Sequence, residues 1–245
     1  MWNRCFIAFL LGFTGASSHA ADAPDSRLTA TESRWLAAGA PVLAYARRQE
    51  LPLDIVVQPQ DAPHLPPLAM GYTHGRCKLV LSMRGNPGVD AAAASIPDTL
   101  FSPVVEAMMA HELGHCWRYV RGAWNTLPAG FVAGTAVEGD LSAEDDPEWA
   151  HKIRQMRETR REEGFSDLVA LAWTHARHPA RYKDVHRWLT DVRADQPVEG
   201  AHHDTRAWVR LAADGRVFSA TPSAAANVFE VALPLWIKGL RESND

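Results

Sequence analysis

A chain of 245 residues, 47% hydrophobic and 22% charged, has the composition of a globular protein and the length of one domain or two small ones. Its formal charge of −4 and pI near 6.3 leave no basic surface of the kind nucleic acid or anionic lipid needs, so nucleic acid is excluded as an expected partner.

The first twenty residues stand apart from the rest. Arg4 carries a positive charge, Cys5 through Phe13 is apolar, and Ser18-His19-Ala20 closes the segment, the layout of a secretory signal peptide with cleavage expected after Ala20. The apolar part is too short to span a bilayer, so the mature chain, residues 21–245, is expected to be secreted or periplasmic without membrane insertion. Export leaves Cys77 and Cys116, an even pair in an oxidising compartment, and one disulfide between them is expected.

Along the mature chain, Trp35, Leu36, Val42, Leu43 and Tyr45 give a helical period from about Thr31 to Gln49, with Gly39 and Pro41 as the place for a kink. Leu53 to Gln58 reads as a strand, Asp61 to Pro67 as a proline-rich loop, and Cys77 to Met83 as a second strand closed by a turn at Arg84 to Gly88. Ser102-Pro103 has the form of a helix start, and the apolar pattern then runs through Met108, Leu113 and Trp117 to a stop at Gly122. Residues 123–146 read as a long loop. A helix follows from Pro147 past Gly164 to about His178, with further helices near 180–194, 203–213 and 222–241. Strands in the first part and helices in the second point to an α+β fold in a single domain, with an α/β part near 31–122 and a helical part near 147–241. The nine tryptophans and the Met108-Met109 pair read as packing residues. The acidic run from Glu138 to Glu148 reads as a solvated loop with a helix cap rather than a calcium site.

One pentapeptide on the helix that ends at Gly122 carries chemistry: His111-Glu112-Leu113-Gly114-His115, an H-E-x-x-H pattern. Residues four apart share a helix face one turn apart, so both imidazoles can address one ion. Zinc in a hydrolase takes three protein ligands and keeps a fourth position for water, so a third ligand is required. A third histidine close behind is excluded, because Arg118 and Arg121 stand where it and its glycine would be. Glu138 and Asp140 lie in a glycine-rich loop, whereas Glu163-Gly164-Phe165-Ser166-Asp167 places two carboxylates on one helix face. Glu163 is then the metal ligand and Asp167 the acceptor for a ligating histidine, with Glu162 and Glu138 open as alternatives.

These two helices resemble those of the gluzincins, the thermolysin-like branch of the zincin metallopeptidases, in which H-E-x-x-H is paired with a downstream N-E-x-x-S-D. Here the second motif reads Glu162-Glu163-Gly164-Phe165-Ser166-Asp167, with glutamate in place of the asparagine. The resemblance implies a zincin-like fold, one Zn²⁺ held by His111, His115 and Glu163, and hydrolysis of a peptide or protein substrate with Glu112 as general base. It directs attention to His202 and His203 as stabilisers of the oxyanion, with His203 preferred and Tyr119, Tyr182 and Arg206 behind it. Asp204 alternatively caps the helix that follows. It also implies that an edge strand borders the cleft, a role that falls on the strand ending at Met83, which a bond from Cys77 to Cys116 would tie to the metal helix. The rival readings are a catalytically silent zincin-fold protein of the cell envelope with a structural metal, and a zinc amidase acting on a non-peptide amide.

Overall fold

The computed structural model describes residues 28–59, 66–86, 88–94, 96–131, 147–195, 200–220 and 227–243. The expected signal peptide, most of the proline-rich loop, Glu138 and Asp140 lie outside the described residues. The described part is α+β: seven α-helices and a small three-stranded mixed sheet. Among the described residues no helix is long and apolar enough to cross a membrane.

Helix α1 spans Ala30–Arg48. It begins at a reciprocal cap in which the Thr29 hydroxyl accepts from Glu32 N and the Glu32 carboxylate accepts from Thr29 N. It runs through Pro41 without a break. Strands β1 (Leu53–Val57), β2 (Leu68–Thr73) and β3 (Arg76–Leu81) follow, in the order β1-β3-β2. β1 is parallel to β3, and β2 returns antiparallel to it through the His74-Gly75 turn, where both residues have positive φ. β3 is therefore the central strand. The strand expected to border the cleft is buried between two neighbours, and the edge position belongs to β2, which its proline-rich approach and Gly71 concealed in the sequence. The outer edge of β2, which pairs with no strand among the described residues, can be assigned from one bond. Ser82 N donates to Pro67 O, which sets Ala69, Gly71 and Thr73 as the residues bonded to β3 and turns the backbone N–H and C=O of Leu68, Met70 and Tyr72 outward.

Helix α2 (Gly88–Ala94) occupies the end of the expected turn, and helix α3 (Asp98–Val120) starts a full turn before Ser102-Pro103. The extra turn is held by packing: Phe101 is buried edge-on against Trp35, and the Arg34 guanidinium lies 3.8 Å over its ring. Ser102 is consequently no cap, and Pro103 sits inside the helix. Gly122 follows α3 with φ of 61°, the left-handed stop that its position suggested.

Helix α4 spans Pro147–Arg177, and every residue from Arg161 to Thr174 is buried. That half is enclosed by α3 on one side and by α5 (Tyr182–Ala194), α6 (Arg206–Leu211) and α7 (Val228–Glu242) on the others, with short 3₁₀ turns at Pro179–Arg181 and Gly215–Ala220. Trp35, Trp117, Trp173, Trp208 and Trp236 are buried packing residues, as expected, whereas Trp149 is exposed and Trp2 lies outside the described residues. Trp208 and Trp236 are buried with their indole N–H groups satisfied by the carbonyls of Trp236 and Arg161. Cys77 on β3 and Cys116 on α3 form a disulfide, joining the sheet to the helix that carries the histidine pair.

Candidate metal centre

The approach of α4 to α3 decides what can meet. At Gly114 a β-carbon would stand 2.8 Å from Ser166 Oγ and 3.0 Å from Ser166 Cα, so glycine there lets the two helices close at the level of the histidines. Glu163 consequently reaches both imidazoles. Its Oε1 lies 3.2 Å from His115 Nε2, its Oε2 lies 3.3 Å from His111 Nε2, and the two Nε2 atoms are 3.1 Å apart. The three donor groups lie within 4.8 Å of one another, close enough to bind one metal ion, and are the only such group among the described residues.

The outer nitrogens of both rings are engaged. His111 Nδ1 is hydrogen-bonded with Asp167 Oδ1 at 2.9 Å, and His115 Nδ1 with the Ser166 hydroxyl at 3.0 Å. A bound metal would require the ring protons on Nδ1 and the Nε2 lone pairs turned to the common centre, an arrangement these outer partners favour. Asp167, fully buried, is itself held by Arg193 of α5 through two bonds of 2.8 and 2.7 Å and by the Thr205 hydroxyl at 2.5 Å.

The charge balance agrees with this geometry. Burial alone would push the His111 pKa down, yet the Glu163 charge and the Asp167 hydrogen bond override it and raise the group to about 10. The pocket thus draws positive charge. Glu163 is held well below the usual carboxylate range because the three neighbouring histidines outweigh its burial. Burial pushes the Glu112 carboxyl up, and burial lowers His203 to about 4, leaving its ring neutral at pH 7.

The remaining expected residues divide. Glu112 and His203 line the same cleft as His111, His115 and Glu163, and His203 Nε2 lies 3.5 Å from Glu163 Oε2. Glu162, the alternative ligand, points elsewhere: it takes a bidentate pair from Arg118, at 2.9 and 2.8 Å, and a bond from Asn125 N. Tyr182 donates to Ala212 O, and Arg206 pairs with Asp204, so neither faces the cleft. Asp204 accepts from Gly200 N and caps no helix; Thr205 holds the N-cap position of α6 without a side-chain bond. Tyr119 lies on the histidine face one turn beyond His115, its ring stacked between Tyr72 and Trp124.

Arg193, Ser166, Thr205 and Trp124 are the site residues that the sequence reading passed over. Arg193 had a signal: it continues the buried stripe Tyr182, Val185, Leu189 of α5 at helical spacing, and a lone arginine on an apolar stripe needs a buried acid. A scan against protein-family models and searches of curated proteins and of solved structures find no match to this chain.

Proposed function

We propose that the protein is an exported zinc-dependent metallopeptidase of the gluzincin type. The observation that carries the reading is the convergence of two histidine nitrogens and one carboxylate on an open cleft, with both imidazoles oriented from behind. Donors roughly 2.0–2.1 Å from a tetrahedral zinc ion lie about 3.3–3.4 Å from one another. The two nitrogens are 3.1 Å apart, and each has one of the two Glu163 oxygens at 3.2 or 3.3 Å, near that figure. A structural zinc site is closed by four protein ligands, whereas three are supplied among the described residues and all three line the cleft.

Zinc bound in such a site lowers the pKa of its water to about 7 and polarises a carbonyl. The chain's own residues do the rest. Glu112 stands on the turn between the two histidine ligands and lines the cleft without joining the donor set, the position of a group that takes a proton from water and delivers it to the leaving amine. His203 lines the cleft beyond Glu163, where its ring can donate to the oxygen that becomes negative as the carbonyl is attacked. Arg193 and Thr205 fix Asp167, and through it the His111 ring. The outward N–H and C=O groups of Leu68, Met70 and Tyr72 offer an extended peptide a strand to pair with, and the side chains of Leu68 and Met70 line the cleft beside it. The disulfide accords with an oxidising compartment.

The test is Glu112→Gln beside wild type, with metal content and cleavage of a mixed peptide substrate measured on both. The expected outcome is equal zinc and a loss of turnover of about 10²- to 10⁴-fold. Undiminished cleavage by the variant would refute the mechanism. Full zinc with no cleavage by wild type would favour the silent binding protein.

A further inference from the structure

Three aromatic rings form a column that runs from the ligand candidate His115 to the surface. Tyr72, the last outward-bonding residue of β2, stacks on Tyr119 with centroids 5.1 Å apart and planes within 2°. Tyr119 stacks on Trp124 at 4.0 Å, and Trp124 stands edge-on to the ligand His115 at 5.5 Å. The chain is bent to make this column: Gly122 and Asn125 both have positive φ, and Asn125 N is tied to Glu162, which folds Trp124 back over the end of α3. Tyr72 stays 41% exposed, so the outer end of the column meets solvent.

Distances along α3 place the column relative to the chemistry. At 1.5 Å per residue, Tyr119 lies about 9 Å beyond the midpoint of the histidine pair. Met108 lies about 7 Å from that midpoint in the opposite direction, where it meets Val185, Trp188, Leu189 and Val192 of α5 in an apolar pocket. The two recognition surfaces therefore flank the metal ligands. For an extended peptide laid alongside α3, with residues about 3.3 Å apart, about 9 Å corresponds to roughly three residues. Tyr72, Met70 and Leu68 present their side chains on one face at the two-residue repeat of a paired strand.

Resting on the peptidase reading, we propose that Tyr72, backed by Tyr119 and Trp124, is a subsite for an aromatic side chain of an extended peptide substrate. That side chain belongs to the third residue from the cleaved bond, on the side away from the α5 pocket. Tyr72 presents an open ring with its rear already stacked, so it does not have to be ordered when a second ring lands on it, and the outer edge of β2 aligns the peptide backbone beside it.

The experiment is cleavage-site profiling of a diverse peptide library by mass spectrometry, with wild type and Tyr72→Ala. Wild type is expected to enrich Phe, Tyr or Trp at that position. Tyr72→Ala should reduce the enrichment about 3- to 10-fold while cutting peptides without an aromatic there as before. A flat wild-type profile at that position, or an enrichment that survives Tyr72→Ala, overturns the subsite and leaves the peptidase reading intact. If no peptide is cut, the peptidase reading fails instead, and calorimetry decides the subsite separately. A phenylalanine-containing hexapeptide should then bind about 3- to 10-fold more tightly than its alanine counterpart, and Tyr72→Ala should erase the difference. Equal binding of the two peptides, or preferential binding of an N-acetylglucosamine oligomer that competes with them, overturns it.

Discussion

Glu162 and Glu163 are neighbours on one helix, 1% and 2% exposed, and the fold treats them in opposite ways. Glu162 meets a bidentate Arg118 and the Asn125 amide, so its charge is balanced inside the protein. Glu163 meets the Nε2 nitrogens of two imidazoles and, at 3.4 Å, the edge of an arginine already committed to Asp167. A buried carboxylate is costly unless paired. One of these pairs is closed by the chain, and the other has the geometry to take an ion. The contrast teaches that burial and acidity alone do not mark a ligand; the direction in which the neighbouring donors point does.

The largest expected effect breaks the contrast at its open side. Glu163→Ala should abolish stoichiometric zinc by metal analysis, and zinc retained in full would mean that another acid completes the site. Glu162→Ala should do the reverse, costing about 3–5 kcal/mol in a denaturant titration because Arg118 is left buried without its partner. Zinc content of its folded fraction should remain at the wild-type level, and loss of zinc there would erase the distinction between the two acids. Reduction of Cys77–Cys116 should lower stability by about 2–4 kcal/mol, read as a shifted melting curve. No shift under reductant would mean that the bridge does not hold α3 against the sheet. The smallest effect sharpens the contrast: Asp167→Asn keeps a similar shape but weakens the acceptor behind His111, and should loosen zinc about 10- to 100-fold in competition with a chelator. Unchanged affinity would show that His111 needs no such support.

The histidine helix was legible because its chemistry and its period coincide: His111, Glu112 and His115 fall on one turn of a segment whose apolar residues repeat as a helix. Glu163 and Asp167 were legible for the same reason, and so was the cysteine pairing once an oxidising compartment was assumed. What escaped depends on tertiary packing. β2 is too short and too close to prolines to announce itself, yet pairing with β3 makes it the strand that borders the cleft. The early start of α3 follows from the burial of Phe101 on Trp35, which no capping rule encodes. Trp124 acquires its place from two left-handed residues and a bond to Glu162, separated from it by more than thirty residues of chain. His203 was pointed to by analogy, while the reason it arrives there, Thr205 bonding to Asp167 two residues later, was invisible in the sequence.

That last bond gives Asp167 a wider importance. Side chains from three separate stretches, α3, α5 and the turn before α6, terminate on its two oxygens. The His111 ring is therefore braced by a junction that exists only where α3, α4, α5 and the start of α6 are packed together.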